Sequence, residues 1–150
     1  MDKITIKYEL IEHCSKQLQK TIDNIEYAIN DAQKSANDYG QPKDRYDSYR
    51  TQLLRKRDLM AKQLQEAIKQ MDMLKKIDPK KMADRASFGT IVQTENQNIF
   101  ISVGLGKIEL NGMDFVVISP NVPIFEALRD KKKGEEFEFR GMRHKIVDLY

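Results

Sequence analysis

The sequence predicts an α+β fold: an N-terminal antiparallel α-helical coiled-coil hairpin followed by a small, mostly antiparallel β domain with one short helix. Three observations predict it. Apolar residues recur at alternating spacings of three and four through the first half of the chain. The stretch Asn37-Asp38-Tyr39-Gly40-Gln41-Pro42 interrupts that pattern midway. From residue 89 onward, short alternating or apolar runs are separated by Gly, Asn and Pro.

The first helical run carries Ile11, Cys14, Leu18, Ile22, Ile25, Ile29, Ala32 and Ala36, the seam of an amphipathic helix. The second carries Leu53, Met60, Leu64, Ala67, Met71 and Leu74, with Arg57 interrupting the seam where an apolar residue belongs. Gly40 suits the left-handed position past a helix end, and Pro42 suits the opening of the next helix. A short connection makes the helices antiparallel neighbours. The expected helices are residues 3–37 and 42–76, within a hairpin domain over 1–77 whose tip is about 37–47. At 1.5 Å per residue such a hairpin extends roughly 50 Å.

Asp78-Pro79 ends the second helix, because the residue before proline is disfavoured in helical geometry. A basic linker over 78–87 leads to the second domain, 88–150. Expected strands are Gly89–Thr94, Ile99–Val103, Lys107–Leu110, Asp114–Ser119, Glu135–Arg140 and Lys145–Tyr150. Asn111-Gly112 is the dipeptide of a type I′ hairpin turn, and Gly141 turns the last hairpin. One short helix fits Val122–Arg129, with Asn121 as candidate N-cap and Pro123 in the first turn.

Composition narrows the function classes. The net charge is +3, with 15 basic against 12 acidic residues in 1–77 and 11 against 11 in 78–150, so neither half is a basic nucleic-acid module. The single cysteine, Cys14, excludes an intrachain disulfide and a cysteine-based metal site, and fits a reducing compartment. The first residues lack the apolar core of a signal peptide, and no stretch approaches 18 apolar residues. The expectation is a cytoplasmic protein without a membrane span. No nucleophile elbow, phosphate loop or dinucleotide-binding glycine pattern occurs. Gly104-x-Gly106 lies between two strands and reads as a turn or bulge. His13 points about 100° away from Cys14 on a helix, so Cys14 is a seam residue rather than a nucleophile. His144 is a lone strand histidine. The residues that could carry chemistry are at the tip: Asp44 and Asp47 share a helical face at i, i+3, and Asp38 sits across the turn. Their carboxylates are hard oxygen ligands for a divalent cation, diluted by Lys43 and Arg45.

The segment Val117-Ile118-Ser119-Pro120-Asn121-Val122-Pro123-Ile124-Phe125-Glu126-Ala127-Leu128-Arg129-Asp130-Lys131-Lys132-Lys133-Gly134-Glu135 resembles the C-terminal domain of the Gre family of bacterial transcript-cleavage factors. That domain typically reads Ile-Ser, a Pro-containing loop, an Ala-Leu helix and Lys-Lys-x-Gly-Asp before an apolar strand. Ser119, Pro123, Ala127, Leu128, Lys131, Lys132 and Gly134 match, and Glu135 stands where Asp is usual. The order of the halves is similar too, a coiled coil before an FKBP-like domain. Tyr46 and Arg50 match a Tyr and an Arg spaced four apart after the family's tip. The pattern, with Ala36-Asn37 and Lys43-Asp44-Arg45-Tyr46, resembles in particular a divergent Gre-like group of Bacteroidetes-type bacteria.

The resemblance implies an elongation factor that binds RNA polymerase, inserts its coiled coil into the secondary channel and stimulates cleavage of backtracked RNA. The hydrolysis would be the polymerase's own, so no intrinsic enzymatic activity, cofactor or membrane partner is expected, and nucleic acid is met only through the transcription complex. Tip carboxylates would assist a second Mg²⁺ shared with the polymerase active site. Asp38, Asp44 and Asp47 are the tip candidates, with Asp44 and Asp38 as the metal-associated pair. Ser119, Pro120, Asn121 and Pro123 are the candidate docking segment. The tip departs from the family's Gly-Asp-x-x-Glu-Asn-Ala-Glu-Tyr pattern. Between Gly40 and Tyr46 it is two residues shorter; Gln41 follows the glycine, and Pro42 and Arg45 stand where Glu is usual. Two alternatives stay open: a channel binder that regulates or inhibits polymerase without cleavage, and a coiled-coil adaptor unrelated to polymerase.

Overall fold

The computed structural model describes residues 2–150; Met1, the first residue of the expected hairpin domain, lies outside them. The order of elements is α1 (Lys3–Tyr39), α2 (Tyr49–Lys75), β1 (Ile91–Thr94), β2 (Asn98–Ile101), β3 (Gly106–Leu110), β4 (Met113–Ile118), α3 (Pro123–Leu128), β5 (Glu136–Phe139) and β6 (Met142–Leu149). This is the α+β architecture expected, a helical hairpin before a six-stranded, mostly antiparallel sheet with one short helix. The chain forms two compact units, Ser15–Asp72 and Met1–Cys14 together with Met73–Tyr150.

In the unit Ser15–Asp72, the apolar stripes make the helix-helix interface. Leu18, Ile22, Ala32 and Ala36 of α1 are buried, as are Ala67 and Met71 of α2. Leu53, Met60 and Leu64 are half-buried at the same register. Arg57 fills its seam position with its aliphatic stem and sends its guanidinium to the side-chain carbonyl of Gln33 on α1. At the other end of the interface, the rings of Tyr39 and Tyr49 meet at 4.8 Å.

In the other unit the strand order is β3-β4-β2-β1-β6-β5, with β2 and β4 parallel and every other pair antiparallel. The sheet is covered on both faces, and β2 and β4 read accordingly as near-continuous apolar runs. On one face Val92, Ile99, Ile101, Ile118 and Ile146 pack with Phe125 and Leu128 of α3. On the other, Ile91, Phe100, Phe115 and Val117 are buried. The first turns of α1 belong to this unit. Lys3 pairs with Asp148 at 2.9 Å, and Asn111 Nδ2 donates to Glu9 at 2.8 Å. The linker residues 78–87 belong to it as well: Ala86 is fully buried and exchanges backbone hydrogen bonds with Lys131 and Asp130.

Turn chemistry sets the hairpins. Asn111 and Gly112 have φ of 52° and 79°, and Arg140 and Gly141 have 54° and 74°, the double positive φ of type I′ turns. In β6, burial alternates through His144 and Ile146, then slips one residue to Leu149. The slip coincides with a register shift against Gln93–Thr94, so a bulge lets both ends of the long strand face the core. Gly106 starts β3 with φ of 75°, a turn rather than a phosphate loop.

Most bounds fall within three residues of expectation, but one helix start and one cap differ in kind. The second helix starts at Tyr49 instead of residue 42, for reasons that lie in the tip. Asn121 is not the N-cap of α3: Val122 occupies that position, with φ −94° and ψ 152° and no side-chain cap. The residue before Pro123 is driven to extended backbone, so Val122 takes the non-helical position and Asn121 falls one residue outside.

Candidate functional site

The tip is built by Asp47. Its Oδ2 accepts the Tyr39 hydroxyl at 2.5 Å and the Lys43 N–H at 2.8 Å, and its Oδ1 accepts the Tyr49 N–H at 3.1 Å. Asp44 begins a tight turn: its carbonyl accepts the Asp47 N–H at 3.2 Å, and its Oδ1 accepts the Tyr46 N–H at 2.7 Å. These side chains compete with helical backbone bonding and keep residues 40–48 open, which delays the second helix. The Ser48 carbonyl then accepts the Gln52 N–H at 2.9 Å and starts it. The first helix instead runs on to Tyr39, and Gly40 closes it with φ of 76° and an N–H bonded to the Ala36 carbonyl.

The basic residues of the tip are partly turned inward. Lys43 Nζ donates to the Tyr39 carbonyl at 3.0 Å and lies 4.7 Å from the centre of the Tyr39 ring. It thus neutralises the negative end of α1. Arg45 stacks 4.7 Å from the Tyr46 ring and donates to the Tyr46 hydroxyl at 2.7 Å. Tyr46 remains 77% exposed, so this cation–aromatic pair is an outward feature of the tip.

The electrostatics follow from these bonds. The Lys43 N–H, then the Tyr39 hydroxyl and the Tyr49 N–H, hold the Asp47 carboxyl below the usual carboxylate range. The same hydrogen bond to Asp47 pushes the Tyr39 hydroxyl up to about 12. Asp38 is exposed on the last turn of α1, and its side chain makes no hydrogen bond or ion pair among the described residues. Asp44 keeps one carboxylate oxygen uncommitted. Among the described residues, no group of three or more Asp, Glu, His or Cys is placed to hold a metal. Both carboxylate oxygens of Asp47 serve the turn. Asp38 and one oxygen of Asp44 stay outside the hydrogen bonds of the turn.

The second candidate segment is the loop from β4 into α3. Ser119 Oγ accepts the Asn121 N–H at 3.3 Å, bending the chain before Pro123. Ser119 and Pro120 are half-buried, while Asn121 and Pro123 are exposed. After α3, Gly134 has φ of 89°, and Glu135 Oε1 accepts the Lys132 N–H at 3.0 Å. Glu135 thus closes the lysine turn through its carboxylate.

Other residues singled out by sequence have structural places. Cys14 is fully buried, and burial pushes its thiol up to about 12, far from nucleophilic. His144 is buried and stacks on Phe137 at 5.0 Å, with Nδ1 3.4 Å from Asn96 Nδ2. Sequence reasoning missed the Tyr39–Asp47 lock, because partners eight residues apart across a loop leave no periodic trace.

No protein-family model matches the chain, and no curated protein matches it. Among solved structures, the chain is similar to the crystal structure of GreA factor homolog 1 (Gfh1) of Thermus thermophilus. The two are 13% identical, with 91% of this chain and 94% of that one covered, at a TM-score of 0.35.

Proposed function

We propose that the chain is a Gre-like transcription elongation factor. It binds RNA polymerase, inserts the tip of its hairpin into the secondary channel and stimulates the polymerase's own cleavage of backtracked RNA. The reading is carried by the tip: a helical hairpin ends in a turn held by Asp47, with Asp38 and Asp44 left exposed. The motif Val117–Glu135, which resembles the Gre C-terminal domain, supplies the partner. In this reading the Ser119–Pro123 loop docks at the channel entrance, and the factor has no hydrolytic activity alone. A magnesium ion shared with the polymerase would supply the positive charge for phosphodiester hydrolysis. Asp44 and Asp38 would offer it oxygen, Asp47 would hold the turn and Lys43 would cap α1.

A specific observation favours a second reading, a channel binder that does not promote cleavage. The Arg45–Tyr46 pair places a fixed positive charge one residue from Asp44, and like charge opposes cation binding.

The test is RNA release from stalled elongation complexes. Cleavage should rise on adding the protein and fall about tenfold for Asp44→Ala or Asp38→Ala, with polymerase binding retained. Binding without any gain in cleavage selects the second reading. Failure to recover polymerase subunits in a pull-down refutes both and leaves the adaptor.

A further inference from the structure

We infer that the unit holding the sheet contains a small-oxyanion site centred on Lys7. Lys7 falls on the backward extension of the α1 seam, where an apolar residue belongs, and is 2% exposed. An ammonium has three N–H donors. Among the described residues the Lys7 side chain makes one hydrogen bond, from Nζ to the Lys81 carbonyl at 3.0 Å, and no ion pair. It lines a cavity of about 230 Å³ bounded also by Lys76, Asp78, Lys81, Ser87 and Thr90. Three lysines and one aspartate thus line it, and Asp78 Oδ1 already accepts the Lys80 N–H at 2.9 Å. A buried cation short of acceptors, beside a cavity with positive lining, is matched by a carboxylate or phosphate group. Burial disfavours the charged lysine, and Asp78 opposes that only in part, so a bound anion would supply the missing partner.

The site is independent of the polymerase reading, and its test needs only the full chain. Backbone amide NMR shifts are followed during titration with sodium phosphate, sodium acetate or sodium chloride at constant ionic strength. Saturable shifts confined to residues around 7, 76–78 and 87–90 with phosphate or acetate support the site, and the better of the two identifies the oxyanion. Shifts that never saturate, or that chloride reproduces, overturn it. Lys7→Met should weaken binding by about tenfold or more. Wild-type affinity in that variant overturns the proposal. Should Lys7→Met disturb the fold, as read by circular dichroism, the exposed-site variant Lys76→Gln decides. A roughly two- to fivefold loss supports the site, and an unchanged affinity overturns it.

Discussion

Replacing Arg57 by leucine probes how the hairpin is held together. Arg57 stands in the seam of α2, and about a third of its side chain is exposed (32%). Its guanidinium donates across the interface to Gln33 and along the helix to Asp58 at 2.7 Å. Full burial of a leucine side chain contributes roughly 1.5–3 kcal/mol, so a site about two-thirds covered yields roughly 1–2 kcal/mol. Against this stands the interhelical hydrogen bond, worth about 0.5–1.5 kcal/mol. The exposed pair with Asp58 adds little, and leucine and arginine have similar helix propensities. Because leucine replaces stem packing that arginine already provides, Arg57→Leu should change stability by no more than about 0.5 kcal/mol, whereas Arg57→Ala loses both stem packing and hydrogen bond and should cost about 1–2 kcal/mol. Urea denaturation followed by circular dichroism reads both, through the midpoint at unchanged slope. If Arg57→Leu is as destabilising as Arg57→Ala, the seam packing offered by leucine is irrelevant. The polar bridge to Gln33 would then be what sets helix register.

Leu128, fully buried between α3 and the sheet, should cost about 2–5 kcal/mol as Leu128→Ala in the same assay. Cys14 should resist alkylation in the native chain and react once urea unfolds it; equal rates in both states would contradict its burial. Tyr39 is held neutral by Asp47, so its contribution is complete below the ordinary tyrosine value near 10 and disappears as pH rises through about 12. Tyrosinate absorbance should show a late step that Tyr39→Phe removes, with the raised Tyr150 remaining. Asp47 behaves in the opposite sense: its contribution is present above the usual value near 3.8 and lost as pH falls through the lowered one. In Tyr39→Phe its carboxyl resonance should titrate closer to 3.8, and an unchanged midpoint would mean the hydroxyl does not hold it.

Elements dominated by periodic burial were legible, and those dominated by particular side-chain bonds were not. The seam residues from Leu18 to Ala36 and from Ala67 to Leu74 lie where spacing puts them, because a 3.6-residue period leaves one stripe to bury. The six strands were found because alternation and turn dipeptides act locally. The start of α2 was misplaced because Pro42 offers a helix opening that Asp44 and Asp47 override with bonds to the backbone. Lys7 and Arg57 carried the one signal available for polar burial, a basic residue at an apolar seam position. That signal marks a break in the stripe without saying what fills it. In the sequence the three tip aspartates differ only in position; the fold separates the one that builds the turn from the two that remain exposed.

That separation changes what a comparison of charge can say about the tip. Counted along the sequence, Asp38, Asp44 and Asp47 against Lys43 and Arg45 leave residues 38–47 one unit negative, too little to argue for cation binding. In the fold, Lys43 is spent on the Tyr39 carbonyl and Asp47 on three donors, so the groups offered outward are Asp38, Asp44 and Arg45. Arg45 is in turn fixed on Tyr46 by stacking and by a hydrogen bond. Removing the charge while keeping the turn therefore isolates the one feature that divides the two polymerase readings. Arg45→Gln leaves Asp44 and the Asp47 bonds in place, because no bond of the turn runs through the arginine side chain. If the tip assists cleavage against the repulsion of Arg45, cleavage should increase in Arg45→Gln by a factor that shrinks as salt is raised. If Arg45 instead holds the tip to polymerase, binding should weaken and cleavage fall with it. An increase in cleavage that is insensitive to salt would refute the electrostatic account of the tip.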